Sequence, residues 1–281
     1  MSPQRIHSVF HPTDFSEGDQ HAFHHALKIA LCAQAELSLL HVERTEDESD
    51  WSDFPGVRAT LTAWGVLAPG AGRQEVLQAG VRARKIQRTS DDPAAAIQEY
   101  VADAEPDLVV LSTHQRSGLA RWMHRALAEP IARATPALTL FVPRRVLGFV
   151  RPDSGRVTLQ KVLVAVDHVP NPQRALDAAA TLARTLGATD THFLIFHAGP
   201  GENLPRVTPP AEASWTHETE AWDGPVVDHL LATAEANDAD LIVMAKRGHR
   251  GFLDALRGTT TERVVRGAQC PVLVAPVPST I

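Results

Sequence analysis

Asp107-Leu108-Val109-Val110-Leu111-Ser112-Thr113-His114-Gln115-Arg116-Ser117-Gly118 and Asp240-Leu241-Ile242-Val243-Met244-Ala245-Lys246-Arg247-Gly248-His249-Arg250-Gly251 are one phrase written twice, 133 positions apart (240 minus 107). In each copy the aspartate is followed by four successive apolar residues. A short unbroken apolar run of this kind fits a strand buried on both faces of a parallel sheet. The register holds through Glu129/Glu262 to Pro143/Pro276. Where the second copy has Gly248 and Gly258-Thr259, the first has Gln115 and Arg125-Ala126. The chain therefore reads as a tandem duplication in which one half keeps an open, glycine-bearing loop and the other has filled it with side chains.

The repeat extends outward from this phrase. Val9-Phe10-His11-Pro12-Thr13-Asp14 matches Val162-Leu163-Val164-Ala165-Val166-Asp167 at an offset of 153 (162 minus 9), each a short strand ending on an aspartate. Second strands follow at Leu37 to Val42 and Phe193 to Ala198, offset by 156 (193 minus 37). The later fall to 133 means that the second half lacks 23 residues (156 minus 133). The missing piece is assigned to the stretch around Pro55 to Val66, expected as a helix in the first half alone. Ala26-Leu27-Ile29-Ala30 and Ala179-Leu182-Ala183-Leu186 recur at helical spacing before a strand, which is a βαβ pattern. Helices are expected over Asp92 to Asp103, Ala126 to Ala134, Pro225 to Ala236 and Thr259 to Gly267. The fold class is α/β, with two tandem doubly wound parallel-sheet domains of about five strands each and ligands at the carboxyl ends of the strands. The expected boundaries are 1–145 for the first domain, 146–160 for a turn-rich linker and 161–281 for the second domain.

A length of 281 residues fits two domains, and a hydrophobic content of 44% is ample for two cores. A net charge of −6 and a pI near 6.1 argue against a nucleic-acid partner, whose binding domains carry a basic stripe. Cys32 and Cys270 lie one in each half, which indicates no disulfide framework. Nothing approaches the run of about 20 apolar residues that spans a bilayer, and no apolar leader is visible at the N-terminus. A soluble, cytoplasmic protein without membrane or nucleic-acid partners is expected.

Phosphates are bound largely by backbone N–H groups, which must approach closely, so glycine is favoured where a loop cradles them. Gly248 and Gly258 meet that need. Gly258 stands just before the helix that Thr259 opens, where unpaired N–H groups and the helix dipole favour an anion. Thr259, Thr260 and Thr261 add hydroxyl donors, and Lys246, Arg247 and Arg250 add positive charge. The plainer alternative makes Gly248 a strand-to-loop turn and Gly258-Thr259 an ordinary helix start with its cap. In the first half Gln115 and Arg125 occupy the cradle, and Pro130 removes one N–H near the helix start, so that half is expected not to bind in this manner.

These residues resemble the universal stress protein family, in the form that carries two such domains in one chain. The family signature is Gly-x-x-Gly, nine residues, then Gly-Ser/Thr. Here it reads Ala245-Lys246-Arg247-Gly248, nine residues from His249 to Arg257, then Gly258-Thr259, with Ala245 the one departure. Pro12-Thr13-Asp14-Phe15-Ser16 and Arg116-Ser117-Gly118-Leu119 are also typical of the family, and the likeness covers nearly the whole chain. The resemblance implies a Rossmann-like fold of the adenine nucleotide alpha-hydrolase kind. It also implies a site for ATP or a related adenine nucleotide in the second domain, with a divalent ion such as magnesium or manganese on the phosphates. By resemblance Asp167 reaches the base and Val166 and Ala198 wall it, and Ala165, Met244, Ala245, Arg247, Gly248, Gly251, Gly258, Thr259, Thr260 and Thr261 complete the candidate set. An aspartate at a strand end can accept from an exocyclic amine or a ribose hydroxyl, but it can equally cap the turn that follows.

Of His21, His24 and His25, positions 21 and 25 are one helical turn apart and share a face, and His11 is the one obvious recruit near the same strand end. Two nitrogens are too few for a zinc site, which takes three or four ligands, so a polar helix face is the plainer account. Gly-x-Ser-x-Gly and Walker phrases are absent. No catalytic residues are nominated. The sequence points to a non-catalytic, ATP-binding stress-response protein with an unidentified protein partner. A nucleotide-free scaffold and a slow ATPase stay open. The apolar final strands Leu138 to Val142 and Val272 to Ala275 are expected to pair within the chain as a pseudo-symmetric intramolecular dimer, with a homodimer of whole chains beyond it.

Overall fold

The computed structural model describes residues 5–44, 50–113, 137–247 and 260–277. Ten strands form one sheet: β1 Ser8–Pro12, β2 Glu36–Glu43, β3 Arg82–Thr89, β4 Leu108–Thr113, β5 Leu138–Pro143, β6 Lys161–Val166, β7 His192–Ala198, β8 Thr216–Trp222, β9 Leu241–Arg247 and β10 Val272–Val277. Their order is β3-β2-β1-β4-β5-β10-β9-β6-β7-β8. Within each half every pairing is parallel, and the halves meet where β5 and β10 run antiparallel.

Among the described residues seven helices flank the sheet: α1 Gln20–Ala33, α2 Val57–Ala63, α3 Arg73–Gln78, α4 Pro93–Ala104, α5 Gln173–Thr185, α6 Val226–Ala236 and α7 Thr260–Gly267. The helix expected around Pro55 to Val66 is α2, and a further helix, α3, accompanies it in the stretch that the second half lacks. The helix expected over Ala126 to Ala134 lies outside the described residues. Local chemistry sets the ends. Asp92 caps α4 by accepting the Ala95 N–H at 3.1 Å, with Pro93 in the first turn where a missing N–H does no harm. Helix α1 stops at Gln34, held at φ 54°, whose N–H satisfies the last carbonyls.

Alternate residues of the central strands enter different cores. Leu108 and Val110 join α1, α2 and α5 on one face, whereas Val109 and Leu111 join α4, α6 and α7 on the other. That is why four successive positions had to be apolar. The duplication is visible at the aspartates that open the repeated phrase. Asp107 Oδ2 accepts the N–H groups of His7 and Ser8 at 2.8 and 3.0 Å, and Asp240 Oδ2 accepts those of Gln160 and Lys161 at 2.8 and 2.9 Å. Each thereby pins the start of its half's first strand.

The expected pairing of the final strands is present, with Leu140 opposite Leu273 and Thr139 opposite Val274. Leu140 and Leu273 are fully buried, and each such side chain contributes roughly 1.5–3 kcal/mol. The segment 146–160 is more than a connection. Phe149 and Val150 are fully buried, Val150 bridges to Val157, and Leu147 faces solvent. Trp64 of the first half donates its indole N–H to the Pro152 carbonyl at 2.9 Å, and Gly155, at φ +63°, lies against the same ring.

Candidate nucleotide site

In a doubly wound sheet the ligand crevice opens where the strand order reverses, between the first strand and the fourth. In the second half that point lies between the carboxyl ends of β6 and β9. Ala165 is in register with Met244 on β9 and with Phe196 on β7, and Val166 is in register with His197. The structure thus brings Ala165, Val166, Asp167, Met244, Ala245 and Ala198 to the ends of three adjacent strands. Ala165, Ala245 and Ala198 are partly exposed there, Val166 and Met244 are buried, and Asp167 is exposed. Thr260 and Thr261 stand in the first turn of α7. Gly248, Gly251, Gly258 and Thr259 lie outside the described residues, as do Gln115, Arg125 and Pro130 of the first half. Arg247 ends β9.

Ala245, which stands where the family signature has glycine, is part of β9 and is not among the described residues with positive φ. A methyl group there imposes no backbone strain. Among the described residues Asp167 accepts one hydrogen bond, from the adjacent His168 N–H at 2.7 Å, and no cation pairs with it. The His168 ring turns away and donates to the Asn203 carbonyl at 2.9 Å, standing edge-on to His197 with centroids 5.6 Å apart. His197 in turn donates from Nδ1 to the Val166 carbonyl at 3.1 Å, which fixes the strand ends on either side of the crevice. A carboxylate that no described cation meets, beside small side chains, is a fit for a neutral donor such as an amine or a hydroxyl.

The corresponding point of the first half lies between β1 and β4 and is furnished differently. Asp14, equivalent to Asp167, is gripped by Arg144, whose other guanidinium nitrogen donates to Ser16 Oγ at 2.8 Å. Ser16 itself donates to Asp14, through Oγ at 2.5 Å and the backbone N–H at 3.1 Å. Burial would raise the Asp14 pKa, but the Ser16 and Arg144 hydrogen bonds and the Arg144 charge hold it below the usual value. Phe15, at φ 58°, stacks on His41 with centroids 3.8 Å apart and meets Phe54 edge-on at 4.9 Å. His41 repeats the role of His197, donating from Nδ1 to the Thr13 carbonyl at 2.8 Å.

Deeper in the same crevice, His11 of β1 meets Asp19 at 3.3 Å with both side chains buried. His11 also donates from Nδ1 to the Val110 carbonyl at 2.9 Å. Burial opposes a charge on either group. For His11 the Asp19 carboxylate and the Val110 carbonyl outweigh burial, and its pKa rises. For Asp19 the His11 charge and the Ser112 and Thr13 hydroxyl groups win, and its pKa falls to about 2. A fixed carboxylate therefore stands beside the end of β1 in the first half. At the matching offsets the second half has Val164 for His11, Pro172 for Asp19, His168 for Phe15 and Val277 for Arg144. Sequence reasoning missed this furniture. Arg144 directly follows the repeated Pro143 at the end of the first domain, and nothing in the repeat singles out either it or Asp19.

His25, weighed as a metal ligand, is committed elsewhere. Its Nδ1–H donates to the His21 carbonyl at 2.7 Å, and its Nε2 accepts the Phe149 N–H at 3.2 Å. No lone pair is left for an ion, and the ring's work is to hold segment 146–160 against α1. Among the described residues no group of three or more His, Cys, Asp or Glu could hold a metal, and no helix is long and apolar enough to cross a membrane.

Comparison with known proteins gives this arrangement a context. The chain is 42% identical over 60 residues to Universal stress protein MJ0531 of Methanocaldococcus jannaschii, a match covering 21% of this chain and 35% of that protein. A crystal structure of a universal stress protein from Archaeoglobus fulgidus superposes with a TM-score of 0.63 at 18% identity, covering 96% of both chains. A putative universal stress protein from Pseudomonas aeruginosa gives 0.60 at 20% identity, covering 98% of this chain and 95% of its own. These structures share the fold. The profile of the Universal stress protein family matches residues 6–143 and 209–276, one segment in each half and together most of the chain, so this protein belongs to the universal stress protein family.

Proposed function

We propose that this protein is a non-catalytic, nucleotide-responsive stress protein that takes one adenine nucleotide per chain, at the crevice between β6 and β9. The observation that carries the reading is the contrast between two equivalent carboxylates: Asp14 is engaged by Arg144 and Ser16, whereas Asp167 meets no described cation. Asp167 accepts from the base or ribose, Val166 and Ala198 wall the base, and Gly248, Gly258 and the hydroxyl groups of Thr259 to Thr261 receive the phosphates. ATP with magnesium or manganese is the form that this residue set suits, because Lys246, Arg247 and Arg250 supply too little charge to neutralise a triphosphate alone. Occupancy of the site biases a surface offered to a protein partner.

Calorimetric titration of the whole chain with ATP and magnesium tests the reading. One site per chain, abolished by Gly258→Arg with the melting temperature unchanged, is the expected result. Two equal sites, no site, or unchanged affinity in that variant would reject it.

A further inference from the structure

The ten-stranded sheet ends on two strands, β3 at one side and β8 at the other, whose outer edges pair with no described strand. Both are regular throughout. Strand β3 pairs with β2 at each of its eight residues, Arg82↔Glu36 to Thr89↔Glu43, and β8 pairs with β7 at each of its seven, Thr216↔His192 to Trp222↔Ala198. Neither contains a proline, and neither ladder is interrupted by a bulge. Long, straight, unpaired edges invite strand addition, and proteins usually blunt them by shortening, bulges, proline or charge. Charge is the one such device present here, and its sign differs between the two ends. Strand β3 carries Arg82, Arg84, Lys85 and Arg88 and no acid, whereas β8 carries Glu218 and Glu220 and no lysine or arginine.

Charges so placed repel like edges and attract unlike ones. The topology makes the unlike pairing geometrically consistent. Because β5 and β10 are antiparallel, β3 and β8 run in opposite directions, and helices α4 and α6 lie on one face of the common sheet. A second copy shifted along the sheet therefore sets its β8 antiparallel to β3 of the first, with equivalent faces aligned. Arg88 lies over the Tyr100 ring on α4, at 5.5 Å, and donates to the Ala96 carbonyl, so Arg82 and Arg84 share the α4 face by alternation. Glu220 meets His229 on α6 at 3.5 Å, which puts Glu218 and Glu220 on the same face of the next copy.

We propose that β3 and β8 are complementary docking edges for a second copy of this chain. In this arrangement the sheet continues from one molecule into the next, in the register that sets Arg82 opposite Glu220 and Arg84 opposite Glu218. The existing partners of these groups, Glu36 for Arg84 at 2.8 Å and His192 for Glu218 at 3.3 Å, are at the exposed surface, where ion pairs exchange readily. The contact joins two different patches and does not close on itself, so its product is a linear series of chains.

Sedimentation velocity of the whole protein, over a range of concentration and salt, reads this directly. The weight-average mass is expected to rise with concentration and to fall as salt screens the edges. Arg82→Glu with Arg84→Glu puts acids at the contact positions of both edges, and Glu218→Arg with Glu220→Arg puts bases at both. Each variant alone should sediment as a single chain with an unchanged circular dichroism spectrum, and an equimolar mixture of the two should associate again. A wild-type protein that stays a single chain at every concentration overturns the proposal. So does undiminished association of either variant alone, which would place the contact elsewhere, or a mixture that remains dissociated.

Discussion

The guanidinium of Arg144 grips the carboxylate of Asp14 across 130 positions of sequence, closing over the end of β1 at the place where the second half leaves Asp167 without a described cation. Arg144 leaves β5 at the seam between the halves, so the strand that joins the halves also supplies the cation that closes the first crevice. Arg144→Ala is expected to return the Asp14 pKa towards its ordinary value and to lower stability by about 0.5–1.5 kcal/mol, since a partly exposed charged hydrogen bond is lost. Nucleotide stoichiometry should stay at one, because Asp19 still places a fixed negative charge in that crevice. Denaturant unfolding and calorimetric titration of the same variant check both statements, and a second site in Arg144→Ala would show that the arginine alone excludes the ligand.

Asp167→Ala should weaken adenine nucleotides by about 1–3 kcal/mol while leaving tripolyphosphate binding nearly unchanged, because the carboxylate is assigned to the base or ribose end. Competition titrations with both ligands decide it. Equal weakening of the two would move Asp167 to a structural role in the turn that His168 begins.

Asp19→Asn leaves His11 buried without its counter-charge and is expected to cost about 3–5 kcal/mol, several times the effect of Arg144→Ala. The pH dependence of the wild-type pair follows from the direction of each shift. The raised His11 pKa gives stability that is full below about 6.5 and is lost as pH rises through the higher folded value. The lowered Asp19 pKa gives stability that is present above about 3.8 and is lost as pH falls towards about 2. Chemical denaturation from pH 4 to 9 should show a contribution that is absent in Asp19→Asn and declines on the alkaline side.

His25 acts in the opposite sense to His11. Burial depresses its pKa to about 4, so the unfolded chain takes up a proton below about 6.5 that the folded chain refuses. Stability should therefore fall between about pH 6.5 and 4, by a few kcal/mol, and His25→Gln should flatten that limb while lowering stability at neutral pH. A limb of unchanged steepness in the variant would assign the acid sensitivity to other groups, of which His24, also depressed to about 4, is the first.

Segment 146–160 should resist proteases, since Phe149 and Val150 are fully buried and Trp64 holds the Pro152 carbonyl. Gly155→Ala is expected to release it. A Cβ there would lie 2.5 Å from the Trp64 ring, on a backbone at φ +63° that disfavours any side chain, for a cost of more than about 1 kcal/mol. Limited proteolysis of wild type and variant is the measurement, and equal resistance would mean that the indole contact does not hold the segment.

What the sequence determined by itself was everything that depends on local pattern. Leu108 to Leu111 and Leu241 to Met244 had to be interior strands because neither face could tolerate water. The spacing of Ala26, Leu27, Ile29 and Ala30 made a helix, and the drop in repeat offset exposed the extra α2 of the first half, although not α3 beside it. Strand β3 was not legible, because Arg82-Ala83-Arg84-Lys85-Ile86-Gln87-Arg88-Thr89 has no apolar alternation and is a strand through its ladder to β2. The candidate site divided in the same way. Asp167 could be nominated from its strand end, and Val166 and Ala198 through the family resemblance, whereas the occupation of the first crevice by Arg144, Asp19, Phe15 and Phe54 could not. Those contacts exist only once β1, β4 and β5 are ordered side by side, and the free energy of a charge or a ring depends on what that ordering sets next to it.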